Sequence, residues 1–175
     1  MRHGADCIVA IPVKRGALLL VLASLLAPPS IARAQEAIYI VRHAERLDQS
    51  ADSELSTDGV GRAYTLRDLL RQAGITHIFT SEMRRTIETA KPLADALRVT
   101  PQTLPGTDVE ALASRLGSLG AGARALVVGH SNTLPQILRA LKVDASVTIA
   151  DADYDNLFIV VPRKEAAPVF MRLKF

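Results

Sequence analysis

Short, apolar, β-rich runs alternate in this chain with stretches whose apolar residues recur at helical spacing, and such alternation builds a mostly parallel sheet with helices packed on it. "AIYIV", Ala37 to Val41, reads as the first strand. "STDGVGRAYTLRDLLRQAG" then reads as a helix: it opens with capping residues, carries an apolar stripe at Val60, Ala63, Leu66 and Leu70, and stops at Gly74. "THIFTS" is the next strand, followed by a helix through "MRRTIETAKPLADAL" in which Pro92 predicts a kink or an early break. "RVTPQTL" reads as a short edge strand, because Pro101 cannot donate to a ladder, and "TDVEALASRLG" as a helix capped by Thr107 or Asp108. "ARALVVG" is the clearest buried strand and runs straight into "HSNTLPQILRAL". The final stretch reads as strands with polar turns, a hairpin closing the sheet edge. The expectation is one three-layer α/β/α domain over residues 35–175 with a mostly parallel central sheet, uninterrupted by repeats, low-complexity tracts or linkers.

The first 34 residues have a different character. Arg2, Lys14 and Arg15 precede the apolar run "ALLLVLASLLA", Ala17 to Ala27, after which "PPS" breaks the pattern and Ala32 and Ala34 supply small residues. That is the three-part form of a secretory signal peptide with cleavage after Ala34. The apolar run is well short of the ~20 residues that span a bilayer, although an uncleaved anchor is the alternative. The reading is therefore an exported protein, periplasmic or extracellular, with no stable membrane insertion once cleaved. The whole chain has 21 Lys+Arg against 18 Asp+Glu, but losing Arg2, Lys14, Arg15 and Arg33 together with Asp6 leaves the two signs balanced. No basic run remains that could track a nucleic-acid backbone. The single cysteine, Cys7, leaves with the leader, so neither a disulfide nor a thiolate nucleophile is available to the rest.

In open α/β sheets ligands bind beyond the carboxyl ends of the strands, so reactive side chains belong just after the strand runs. Arg42 and His43 follow "IYIV", Arg85 follows "HIFTS", Asp108 and Glu110 follow "PQTL", and His130 follows "ALVVG". Two arginines, two histidines and a carboxylate converging on one crevice describe a site for a dianionic phosphoryl group. Neutral His43 attacks phosphorus while the guanidinium forks of Arg42 and Arg85 hold the equatorial oxygens, for which planar bidentate geometry suits better than a lysine. For one imidazole nitrogen to attack, the other must be tied down as a donor, most simply to a backbone carbonyl in the following turn. His130, protonated beside the phosphate, adds a donor, and Asp108 or Glu110 protonates the leaving alcohol. Water then hydrolyses the phosphohistidine. No metal or other cofactor is required, and no metal-ligand spacing is present. Arg2-His3-Gly4 has the same look as Arg42-His43 but lies in the leader.

The segments "VRHAE", "LSTDGVGRA", "TSEMRRTIETA" and "VVGHSNT", in this order, resemble the histidine phosphatase superfamily, also called phosphoglycerate mutase-like, across nearly all of Ala37 to Val161. The resemblance implies roles for Arg42, His43, Arg85 and His130, with Leu55, Ser56 and Gly59 as a structural segment. Spacing from Ser81 selects Arg85 over Arg84. Ala44 stands where the family usually has glycine, Glu82 where proline is common, and the acid stays open between Asp108, Glu110 and neither. Ala44 is compatible if its φ is negative.

Each feature has a plainer reading. "VVGHSNT" alone could be a strand-to-helix turn with Ser131 or Asn132 as N-cap; otherwise Asn132 is a further phosphate ligand. Glu45 reads as an ion-pair partner of a nearby arginine rather than a catalyst, His77 as structural, and acidic "DADYDNL" as a turn rather than a calcium loop, with Tyr154 at the pocket rim. The expected partner is a small phosphorylated substrate, an envelope sugar phosphate among the options; the oligomeric state is open. A mutase fits less well, since the segments between motifs are short for a lid. An exported phosphate or sugar-phosphate binding protein without turnover is the alternative, and an envelope structural protein that merely keeps the fold is another.

Overall fold

Along each central strand, alternate residues face opposite sides of the sheet, and both sides are apolar. The computed structural model describes residues 37–175; the expected leader, residues 1–34, lies outside the described residues. The elements in order are β1 (Ala37–Arg42), α1 (Thr57–Leu70), β2 (His77–Thr80), α2 (Arg84–Leu97), β3 (Gln102–Thr103), α3 (Val109–Gly117), β4 (Arg124–Gly129), α4 (Leu134–Ala140), β5 (Asn156–Val161) and β6 (Val169–Lys174). Val41, Ile78, Leu126, Val128 and Leu157 pack against Leu66 and Leu70 of α1 and Leu93 of α2. The alternate set, Ile40, Phe79, Val127 and Phe158, packs against Leu112 and Leu116 of α3 and Leu134, Ile137 and Leu138 of α4. A sheet sandwiched this way has continuous hydrophobic strands, which is why "ALVVG" shows no polar alternation. Leu66, Leu93 and Leu126 are completely buried, each worth about 1.5–3 kcal/mol of transfer free energy.

The sheet order is β3-β2-β4-β1-β5-β6. β3, β2, β4 and β1 run parallel, while β5 is antiparallel to β1 and β6 to β5, so the expected hairpin closes one edge and the short β3 forms the other. The chain winds from β1 to β3 with α1 and α2 on one face, then returns through α3 on the other and threads β4 between β1 and β2. Right-handed crossovers place the helices so. Register aligns Arg42 with Gly129 and Thr80 with Val128, while β5 enters the sheet beside the end of β1, Leu157 opposite Val41. Residues leaving β1, β2 and β4 and residues entering β5 therefore meet along one edge. Among the described residues no helix is long and apolar enough to cross a membrane.

Several local expectations need correction. Helix α1 buries Gly59, Ala63, Leu66 and Leu70, whereas Val60 is 44% exposed. Gly59 takes the inward place because a Cβ there would lie 2.3 Å from the Glu45 carbonyl oxygen; the helix start touches the backbone after β1. Ser56 is its N-cap, accepting from the Gly59 amide at 3.1 Å, and the helix ends at Leu70, before Gly74. Pro92 does not break α2, which continues to Leu97: the proline removes one donor, and five buried α2 residues hold the rest in place. Helix α4 begins after Thr133, not after Ser131 or Asn132.

Candidate active site

His43 continues the β1–β4 ladder by one bond, its amide donating to the Gly129 carbonyl at 2.9 Å, and its ring is 4% exposed. Nδ1 lies 2.8 Å from the carbonyl oxygen of Ala44. A carbonyl only accepts, so Nδ1 carries the proton and Nε2 keeps its lone pair. The turn that presents this carbonyl is pinned to α2: the Ala44 amide donates to Thr89 Oγ1 at 2.9 Å, and Thr89 Oγ1 donates to the Arg85 carbonyl at 2.6 Å. Among the described non-glycine residues positive φ occurs only at Arg98 and Lys142, so Ala44 gives up nothing by not being glycine. Burial, followed by the charges of His130, Arg42 and Arg85, holds the His43 pKa down at about 3 against the partial support of the Ala44 carbonyl.

Both arginines are held by neutral oxygens. Arg42, 5% exposed, donates from Nη1 to the carbonyls of Ala150 at 3.0 Å and Asp151 at 2.9 Å. Arg85 donates from Nη1 to the Ala51 carbonyl at 2.8 Å. In each guanidinium Nε is buried without a hydrogen-bond partner. Carbonyl grips orient a guanidinium without cancelling its charge, as a carboxylate would. The contrast is Arg84, which pairs with Glu54 and reaches toward Glu88, and Arg62, whose Nε meets both oxygens of Glu45 at 2.8 and 2.9 Å. Arg85 itself is pushed below its ordinary pKa, first by burial and then by Arg46, with Arg42 adding to it against Asp52 and Glu82. Cations that press on one another with buried, unused donors form a site that an anion would relieve.

His130 follows β4, and its ring centroid lies 5.3 Å from that of His43, edge to face. Its Nε2 is 2.9 Å from Ser81 Oγ, which is 2.9 Å from Thr86 Oγ1 at the start of α2. Gly106 closes over this contact: a Cβ there would come within 3.0 Å of Ser81 Cβ and 3.3 Å of His130 Nε2. The expected protonated His130 is not what the protein's own groups provide. Burial, then Arg85, lowers its pKa to about 4, with Glu82 opposing and Arg42 contributing. A bound dianion is the missing charge that would reverse this.

Arg42, His43, Arg85 and His130 thus come together at the carboxyl edge of the sheet. Asp108 lines, with Ser81, Gly106 and His130, a narrow cavity of about 30 Å³ beside them, but it is exposed and its Oδ1 caps α3, accepting from the Ala111 amide at 2.9 Å. The expected proton-donor role therefore meets a competing structural one, the cap of α3. Glu110 is exposed on α3, and Asn132 is exposed with its carbonyl accepting from Gln136 Nε2, so neither is tied into the cluster. Glu45 pairs with Arg62 as expected, and "DADYDNL" forms a turn, the Asp153 amide donating to the Ala150 carbonyl at 2.9 Å. Ser81, Glu82 and the carbonyls of Ala51, Ala150 and Asp151 were not anticipated as site residues. Ser81 had a signal, the position of a hydroxyl right after a strand; the carbonyls had none.

Fold and cluster together define an α/β protein with a guanidinium and imidazole cleft at the carboxyl ends of its parallel strands. The sequence model of the histidine phosphatase superfamily (branch 1) matches residues 38–108. A probable phosphoglycerate mutase GpmB of Yersinia pestis is 39% identical over 75 residues, covering 39% of this chain and 35% of that protein, and that of Yersinia pseudotuberculosis gives the same figures. The chain spans about a third of the length of these curated relatives. The protein histidine phosphatase SixA complexed with tungstate superposes with a TM-score of 0.65 at 20% identity, over 79% of this chain and 96% of that one. Mycobacterial glucosyl-3-phosphoglycerate phosphatase gives 0.61 at 13% identity, over 81% and 98%. At those identities the structures speak to the fold alone, and they extend it past residue 108 to the segment that carries His130. Over residues 38–108 the chain resembles the histidine phosphatase superfamily, and it shares the fold of these solved phosphatases.

Proposed function

We propose that this protein is an exported, metal-independent phosphatase that hydrolyses phosphomonoesters through a phosphohistidine on His43. The observation that carries the reading is the neutral His43, Nδ1 tied to the Ala44 carbonyl and Nε2 free, between two arginines that each keep a buried, unpartnered Nε. Nε2 attacks phosphorus as the bond to the leaving oxygen breaks; Arg42 and Arg85 take up the charge on the equatorial oxygens. The leaving oxygen takes a proton from solvent and departs as the alcohol, and the water that attacks in the second step returns one proton to solvent. Water then attacks phosphorus, the P–N bond breaks, its electron pair returns to Nε2, and inorganic phosphate leaves.

The carboxyls near the cleft bear on substrate class. Asp108 Oδ1 caps α3, and Glu82 Oε2 accepts from the Gly106 amide at 2.7 Å, so each carboxyl is already engaged with a backbone amide. Phosphates with a weakly basic leaving group fit such a cleft best, aryl phosphates and phosphohistidine among them. The name of one structural neighbour, a protein histidine phosphatase, agrees with that class, whereas the other, a glucosyl-3-phosphoglycerate phosphatase, is named for an alkyl phosphate. An exported location, read from residues 1–34, favours a sugar phosphate of the cell envelope over a phosphorylated signalling protein. The curated relatives bear a mutase name, and a mutase would return the phosphoryl group to product rather than to water.

Rapid quenching with a radiolabelled phosphomonoester tests the reading. Acid-labile, alkali-stable label accumulates on the protein, is lost in His43→Ala, and is released as inorganic phosphate. Binding of the substrate without turnover would instead support the non-catalytic binding protein, and label returned to organic product would support a mutase. kcat/KM is expected to fall steeply as the leaving group becomes more basic; a flat dependence would point to an efficient proton donor.

A further inference from the structure

We propose that Tyr154 is the positioning residue for Arg42, its ring fixing the plane in which the guanidinium meets the phosphoryl oxygens; this rests on the reading that Arg42 is an oxyanion ligand. The guanidinium carbon of Arg42 lies 4.1 Å from the centroid of the Tyr154 ring. The same ring stands 6.0 Å from that of His43, inclined by 57°, so one aromatic side chain borders both the cation and the nucleophile. The carbonyl grip alone is incomplete. Nη1 is held by Ala150 and Asp151, with the Asp153 carbonyl farther off at 3.5 Å, and these contacts fix one edge of a planar group that can still tilt about that edge. A ring packed on the face removes the tilt. Like the carbonyls, it holds the cation without neutralising it, because its attraction comes from the π quadrupole and not from a net charge.

The clamp is itself anchored by the fold. Asp153 closes the turn in both directions, its amide donating to the Ala150 carbonyl at 2.9 Å and its Oδ2 accepting from the Ala150 amide at 3.2 Å. Asn156 then begins β5, which pairs directly with β1, the strand from which Arg42 projects. Arg42 is thus gripped by the segment that enters the neighbouring strand, and sheet pairing fixes the separation between gripper and gripped.

The test is orthovanadate binding to the full-length protein by titration calorimetry, with kcat and KM for an aryl phosphate measured in parallel. Tyr154→Leu is expected to weaken vanadate binding about tenfold and to lower kcat, while Tyr154→Phe restores most of the loss, since the ring face makes the contact. In an Arg42→Ala background Tyr154→Leu should add nothing, because there is no guanidinium left to orient. Wild-type vanadate affinity in Tyr154→Leu, an undiminished effect in the Arg42→Ala background, or damage by Tyr154→Phe equal to that of Leu would each overturn the proposal. If the vanadate cycle comes out as expected while His43→Ala still hydrolyses substrate, the phosphohistidine reading fails and the role of Tyr154 stands. No vanadate binding by the wild type would overturn both.

Discussion

Adjacent arginines at the start of α2 have opposite fates, and the difference lies in what each touches. Arg84 is exposed and spends its charge on Glu54 and Glu88; Arg85 is half-buried, held by a carbonyl, with Nε unused. Arg85→Lys keeps the charge but loses the fork, so kcat/KM should drop by about 10²-fold, the scale of removing one aimed donor, while Arg84→Lys leaves it near wild type. Steady-state kinetics on the two variants decides this, and the reverse order would place the site one residue off. The depressed pKa of His43 sets a second expectation. Protonation of Nε2 blocks attack, so the acid limb of kcat/KM should fall near the depressed pKa of His43, about 3, and not near 6.5. A pH–rate profile checks it.

At the scale of elements, two helix starts hold the site without taking part in chemistry. Gly59→Ala would drive a methyl group onto the Glu45 carbonyl, pushing α1 from the turn that follows His43, and should cost about 1–3 kcal/mol in chemical denaturation. Asp108 separates capping from proton donation: Asn caps as well as Asp but cannot donate a carboxyl proton. Asp108→Ala is expected to lose about 1 kcal/mol of stability through α3, whereas Asp108→Asn keeps both stability and kcat/KM for an alkyl phosphate, whose basic leaving group would expose a lost proton donor. A large kinetic loss in Asp108→Asn would return the acid role to this residue. The elements themselves were legible because periodicity is a local property: β1, β2, β4, α2 and the edge hairpin lie where the apolar patterns put them. Val60 and Gly59 were not, since which of two neighbours faces inward depends on how closely the backbone after β1 approaches.

For the molecule as a whole, burying two histidines in neutral form links stability to pH. Unfolded, each titrates near 6.5; folded, they titrate at about 3 and about 4. Between those values the unfolded chain binds more protons, so stability is lost as pH falls from about 6.5, by up to about 1.4 kcal/mol per pH unit for each histidine. Melting temperatures measured from pH 7 to pH 4 should decline, and saturating phosphate should restore part of the loss by favouring the imidazolium. If charge stabilisation comes from guanidinium groups alone, EDTA leaves activity unchanged. Fractionation of the producing cells should find the protein outside the cytoplasm with Gln35 as its first residue; retention in the cytoplasm would remove the argument for an envelope substrate.

Strand and helix positions, the order of the layers, and the choice of Arg42, His43, Arg85 and His130 follow from the amino-acid sequence alone, because hydrophobic period and placement after a strand are written in neighbouring residues. The grips on Arg42 and Arg85, the Ser81 contact to His130, the ring of Tyr154 and the capping duty of Asp108 belong to the tertiary structure. Arg42 and the turn that holds it are separated by more than a hundred positions and meet only because β5 pairs beside β1. A backbone carbonyl is carried by every residue, so no side-chain pattern announces which one will face a guanidinium. That is decided when the sheet closes.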